Sequence, residues 1–405
     1  MAIVRTVPLN LPIVDPYRLP TRDFAGFLSQ VQQVANNSWD NTQTPVNGNY
    51  TLKAGDIGNT VALGGNTFYQ LTIGPVANYD PQFLCLIVNI DLMPGGRAKK
   101  IVVTGGPTVL LWPGQSFFLF RVANAWYTAP SDPVPLRWNV PANVTLNVNA
   151  SVGNDNNDGL ATGAGNALAT PQRAADIISG LWDINTRTVT IQVTGAVTGS
   201  IAVNSPWVGS GTVQLLGDTT TPPNTTWTNS TGNPNVIVQG AGRLQVSGFK
   251  LVNTGGGDGC AAITFGTLAL VGKMEFGAVG NYHMEANQNG QISYFASAPY
   301  VISGGGNAHY GAAAAGAILI SGFTGANTIS ITGTPAFPAG FALANQGSIA
   351  APSNAYSGSV NNTTTPQWQI LNGGAIYTGG VGAGYFPGNA ALNVGGTTAG
   401  GGFIT

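Results

Sequence analysis

Charge is the scarcest ingredient of this chain. Only 7% of its 405 residues are Asp, Glu, Lys or Arg, against roughly 25% in ordinary soluble domains. From Ala286 to Thr405 there is none at all, and His309 is the one imidazole in that stretch. A formal net charge of −1 without a basic stripe argues against nucleic acid as a partner. Arg97, Lys99 and Lys100 form the densest basic group and read as a solvated strand end. Cysteine is equally sparse. Cys85 and Cys260 fall in what read as separate domains, so no disulfide framework is expected. The N-terminus has no apolar signal core, and no run of about 18 apolar residues occurs, so neither secretion nor membrane insertion is expected. No P-loop and no G-x-S-x-G elbow is present, and no cofactor is expected.

Glycine is abundant, at 58 residues, and Val, Ile, Thr and aromatics recur throughout. That combination points to an all-β protein with many tight turns rather than to disorder. Residues 1–40 hold a Pro-rich opening and one short amphipathic helix. Phe24, Phe27, Leu28, Val31 and Val34 share its face, with Thr21 or Asp23 as cap. Too short to fold alone, this segment reads as an anchor to a partner. Residues 41–130 alternate apolar and polar between turn signals and predict a small antiparallel β-sandwich or barrel. Residues 131–142 are a Pro-rich linker.

Residues 143–380 repeat. The unit Gly-x-(Leu/Ile) recurs at Gly242/Leu244, Gly266/Leu268, Gly290/Ile292, Gly316/Ile318, Gly347/Ile349 and Gly374/Ile376. The spacing is about 25 residues and lengthens after Ile318. A second register follows each anchor: Phe249/Leu251, Met274/Phe276, Tyr300/Ile302, Ile329/Ile331 and Tyr356. A third precedes it: Val238, Ala262, Ala286, Ala312, Leu343 and Ile370. Three short strands per repeat predict a parallel β-helix, with glycine at each sharp corner. A helix opening at Thr170-Pro171 is expected to cap it. Residues 381–405 form a Gly-rich tail. So neutral a surface predicts burial against sister chains.

Three stretches carry a resemblance. Tyr50 to Val61 with Leu111-Trp-Pro-Gly-Gln115 resembles a small β domain near the N-terminus of phage tail-fibre proteins. Asn147 to Ser151, Gly153 to Leu160 and Thr170-Pro-Gln172 resemble the opening of pectate-lyase-like β-helices in phage tailspikes. Tyr385 to Ala390 is similar to the close of prophage tail proteins. The resemblance implies a phage or prophage tail-fibre or tailspike subunit with a right-handed β-helix. It implies a homotrimer, made in the host cytoplasm and carried on the virion. Residues 1–40 would join other tail or baseplate proteins, and the partner would be host-surface polysaccharide.

Attachment without catalysis is the reading adopted. A polysaccharide depolymerase (glycosidase or lyase) and a structural decoration protein are the alternatives. For an enzyme the candidates are Asp258, Glu285, His283 and His309. Asp258 and Glu285 fall one rung and three residues apart, roughly 11 Å, outside both glycosidase separations. They read first as solvated or turn carboxylates, as does Glu275, which is expected to point outward. His283 and His309 share an offset on adjacent rungs and should stack about 4.8 Å apart. That predicts a surface ladder or a buried stack at a trimer seam, and a metal site with Glu285 is the alternative. Asp155 and Asp158 superficially suit a calcium loop but lack its distal Glu and read as turn residues. Trp182, Trp207, Trp227, Tyr294 and Tyr310 are candidates for stacking on glycan rings, with core packing as the other use of such side chains.

Overall fold

In the computed structural model, residues 43–404 are described except 92–95, 106–107, 131–136, 296–298, 321–327, 353, 380–383 and 396–402. The expected N-terminal helix, most of the Pro-rich linker and much of the Gly-rich tail lie outside the described residues.

The chain is all-β with one helix among the described residues. The N-terminal unit holds two sheets. One contains Gln43–Val46, Thr60–Leu63, Leu84–Asn89, Ser116–Val122 and Ala125–Pro130. The other contains Tyr50–Thr51, Gln70–Ile73, Lys99–Val103 and Thr108–Leu111. The expected antiparallel sandwich is therefore corrected. The first six strands enter the two sheets alternately and pair parallel. Only the last three pair antiparallel. Alternating hydrophobicity reports a buried face and says nothing of strand direction. A parallel pair needs a crossover, and here a strand of the opposite sheet supplies it. Val61, Leu63, Leu71, Ile73, Phe83, Ile87 and Leu119 fill the space between the sheets.

The second unit opens with the strand Val144–Asn149 and the helix α1, Pro171–Leu181. Thr170 caps α1 by accepting from the Arg173 N–H at 3.2 Å, and proline occupies the first turn. Ala174, Ala175, Ile177 and Ile178 are its buried face. From Thr188–Thr194 to Ala375–Tyr377 the strands enter three sheets in strict rotation, and every pairing between strands there is parallel. Thr212–Leu216, Thr226–Asn229 and Val236–Val238 are one circuit; Arg243–Ser247, Lys250–Asn253 and Cys260–Ile263 are the next. The rotation continues to Trp368–Leu371 and Ala375–Tyr377. This stacking is consistent with a parallel β-helix.

Leu244, Leu268, Ile292, Ile318, Ile349 and Ile376 pair in register on successive rungs. None is more than 2% exposed. The second register also holds, through Leu251, Phe276, Ile302 and Ile331. In the third, Val238, Ala262, Ala286 and Ala312 align as expected, but the next member is Ala344 and not Leu343. That rung turns its corner through one left-handed residue, Gln346, where the rung below uses Ala314 and Ala315. The corner is one residue shorter, so the inward position shifts by one.

The corner glycines have a different cause from the one expected. Gly266, Gly290 and Gly316 are not in the left-handed region. The positive φ falls on the two residues before each, Thr264 and Phe265, Gln288 and Asn289, Ala314 and Ala315. Glycine is required because a Cβ at Gly266, Gly290 or Gly316 would collide with the carbonyl of Val238, Ala262 or Ala286 on the rung below.

The two units share a junction. Trp112 of the N-terminal unit stacks on Trp138 at 5.8 Å between ring centroids and meets Trp182 edge-on at 5.3 Å. Trp138–Asn139 pairs with Trp182–Asp183. Arg97 is not solvated as a free strand end: it holds the buried Asp158 with both prongs, at 2.9 and 2.7 Å. Lys99 is fully buried and pairs with Asp91 at 2.6 Å.

The corner contact predicts a sharp asymmetry. Gly290→Ala should destabilise by about 3 kcal/mol or more, the range of strained core substitutions, whereas Gln288→Gly two positions earlier should be neutral or stabilising. Thermal melts of the two variants check this.

Candidate functional site

Asp258 ends the turn between Lys250–Asn253 and Cys260–Ile263. Asn253 shapes that turn: its amide donates to the Asp258 carbonyl at 3.0 Å, and its side-chain oxygen accepts from the N–H groups of Gly255 and Gly257 at 3.1 and 3.2 Å. Glu285 stands on the next rung, in Tyr282–Asn287, opposite Ala261 below and Gly311 above. Those small neighbours leave its side chain room to reach sideways. The two carboxyl groups are in hydrogen-bonding contact. The separation expected from strand geometry is thereby corrected, because Asp258 lies in a turn and not on the strand line. Asp258 Oδ1 also accepts from the Tyr282 N–H at 2.8 Å.

Two carboxylates in contact cannot both be ionised. Burial, then the hydrogen bond and charge of Glu285, push Asp258 from an ordinary 3.8 up to about 8. Asp258 therefore keeps its proton at neutral pH.

The histidines do not form a surface ladder. Both are fully buried within a single chain, so no trimer seam is needed to cover them. His283 Nε2 bonds the Gly277 carbonyl at 2.8 Å, and the two Nδ1 atoms meet at 2.7 Å. His309 Nε2 bonds the Tyr300 hydroxyl at 2.9 Å. Tyr300 meets Tyr310, which lies 3.4 Å from the Tyr356 hydroxyl. One assignment satisfies every link. His283 donates from Nε2, His309 donates from Nδ1, and each tyrosine donates to the next acceptor toward His309. Both rings are then neutral, as burial requires: it lowers His283 from 6.5 to about 4 and His309 well below its usual value. Glu285 does not join them. His283 and Met284 are both fully buried, so in–out alternation begins only after the strand's first residues. Among the described residues no group of three or more His, Cys, Asp or Glu could hold a metal ion.

All five glycan-stacking candidates belong to the core. Trp182 seals the junction; Trp227 packs on Phe249 and donates to the Gly199 carbonyl at 2.8 Å. Tyr294 donates to the Gly272 carbonyl at 2.8 Å, and Tyr310 belongs to the buried chain. Trp207 belongs to the same core and keeps the largest exposure of the five, 9%. Asp155 does not form a cation loop with Asp158. It accepts from the Ala169 and Thr170 N–H groups at 2.8 and 2.9 Å and from the Thr170 hydroxyl at 2.8 Å. Glu275 is more buried than expected and is held by Lys250 at 2.7 Å and Ser303 at 2.5 Å. Residues the sequence reading missed are Tyr282 beside Asp258 and Tyr356 in the buried chain, and Tyr300, which it offered to glycan rings, is a buried link. Tyr300 and Tyr356 carried a signal, since both occupy the second register and a hydroxyl there must find a partner inside.

Comparison with protein-family models, with curated proteins and with solved structures finds no match.

The two titrations act in opposite directions. Asp258 holds its proton when folded and releases it when unfolded between about pH 4 and pH 8, so its contribution falls as pH rises through that window. His283 is neutral when folded but protonated when unfolded between about pH 4 and 6.5, so its contribution rises with pH there. Above pH 6.5 only the Asp258 slope remains of the two. Chemical denaturation at pH 6.5 and 8.5 should show wild type losing stability with pH. Asp258→Asn should lose distinctly less; equal slopes in the two proteins would refute the raised proton affinity of Asp258.

Proposed function

We propose that this chain is the subunit of a phage or prophage spike or fibre that attaches to host-surface glycans without cleaving them. On this reading the stacked sheets are a right-handed parallel β-helix, three chains associate side by side, and residues 1–40 dock the spike on other virion proteins. The observation that carries it is the outer surface of the later rungs. Leu319 and Ala350 on one sheet, and Leu343 and Gln369 on another, face outward without a charged neighbour after Glu285. Half-buried apolar and amide groups on a flat strand face suit cover by sister chains, and a rigid charge-poor rod suits a part that must present a constant surface outside the cell.

A second reading, a polysaccharide depolymerase on the same scaffold, has one observation in its favour: the buried Asp258, whose proton affinity Glu285 raises. The bond that Asp258 accepts from the Tyr282 N–H of the next rung at 2.8 Å argues for a structural staple between rungs.

Incubating purified full-length protein with capsular polysaccharide and with lipopolysaccharide decides among the readings. Saturable binding with no new reducing ends or unsaturated products is expected. Released oligosaccharides that disappear in Asp258→Asn would establish the depolymerase, and neither binding nor release would establish a decoration role. Light scattering should give a trimer; a stable monomer at micromolar concentration would contradict the covered face.

A further inference from the structure

The loop between Ile201–Val203 and Thr212–Leu216 overhangs the outer face of the following rungs. It is tied down at its far end. The Ser210 and Gly211 N–H groups both donate to the Asn185 carbonyl, at 2.6 and 2.7 Å, and a Cβ at Gly211 would strike the Arg187 carbonyl. At its near end Trp207 Nε1 donates to the Arg243 carbonyl at 2.5 Å, which fixes the plane of the indole. Between loop and rungs lies a groove of about 460 Å³, lined by Trp207, Thr212, Arg243, Gln245, Thr267 and Ala269 among others. That volume falls within the roughly 300–1,000 Å³ of small-ligand sites.

The chemistry of the lining is specific. None of its residues is acidic. Arg243 is exposed and forms no ion pair among the described residues. Gln245 accepts from Gln214 through Oε1 at 2.9 Å, which leaves its own NH₂ to donate. Thr212 and Thr267 add hydroxyls. A guanidinium fork without a carboxylate, an apolar indole edge and several neutral hydrogen-bonding groups together match a pyranose ring that bears a carboxylate.

We propose that this groove is a subsite for an acidic sugar, with Arg243 forking the sugar carboxylate, Trp207 walling the ring, and Gln245 and Thr267 bonding its hydroxyls. The proposal deepens the attachment reading and rests on it. It also narrows the receptor to uronic or ulosonic acid glycans.

Saturation-transfer NMR on the full chain tests it, with digalacturonate, glucuronate and N-acetylneuraminate as probes and 4-linked galactobiose and glucose as neutral controls. At least one acid should bind at low salt. It should bind about tenfold more weakly to Arg243→Gln, the loss expected for a charge-assisted pair, and should be excluded by Ala269→Phe, which fills the groove and leaves the charge in place. Circular dichroism verifies that both variants fold; neither position is in the buried core. Neutral sugars binding as well as the acids, or acid binding indifferent to both variants, would overturn the groove and leave the attachment reading intact. If none of the acids binds, the groove proposal is overturned, and retention of the wild-type chain on whole capsule decides whether the attachment reading falls with it.

Discussion

Most circuits of the repeat close against the one below at a point where a glycine sits against a carbonyl of the preceding rung. Gly266, Gly290, Gly316 and Gly374 all make this approach, to Val238, Ala262, Ala286 and Ala344. No other residue fits, and two positions later the chain places a Leu or Ile in the interior. The corner and the core are thus coupled: if the rung could not settle to this distance, the anchor two residues on would lose its in-register partner. In the circuits ending at Gly266, Gly290 and Gly316 the two left-handed residues before the glycine turn the chain sharply enough to bring it there, at a cost that interior burial offsets. Rotation through three sheets, the aligned columns and the outward faces all follow from this contact.

Stacking has chemical consequences inside and out. Inside, a polar side chain must find its partner on a neighbouring rung, and the His283–His309–Tyr300–Tyr310–Tyr356 series does so link by link. Outside, equivalent positions one rung apart sit close enough for side chains to interact across rungs. Lys250 with Glu275 forms an ion pair there, and from the turn below, Glu285 raises the proton affinity of Asp258. The same proximity lets a loop pinned at Asn185 roof the rungs of Arg243 and Thr267.

Much of this was legible in the residues. The Gly-x-(Leu/Ile) unit placed six anchors correctly because glycine spacing and apolar spacing repeat together. Thr170-Pro171 announced α1 through its cap. Leu343 was misplaced because a corner one residue shorter leaves no mark except the loss of one left-handed position. The N-terminal strands were seen, but their parallel pairing was not, since alternation is the same for either direction. Trp182, Trp227, Tyr294 and Tyr310 were ambiguous for a plain reason: a ring that suits a sugar suits a core equally well. The carboxyl pair was hidden by a turn, which removes Asp258 from the strand geometry used to measure its distance from Glu285.

The central claim is the parallel in-register stacking of successive rungs, and engineered disulfides report on it directly. Gln245 and Ala269 are paired outward positions on adjacent rungs, and Ser293 follows Ala269 on the next. The native Cys85 and Cys260 are buried and do not interfere. Under mild oxidation the double variant Gln245→Cys/Ala269→Cys should form an intrachain disulfide, since adjacent strands lie about 4.8 Å apart. Gln245→Cys/Ser293→Cys, two rungs apart, should remain reduced. Failure of the first pair to close, or closure of the second, would contradict the stacked register on which the account rests.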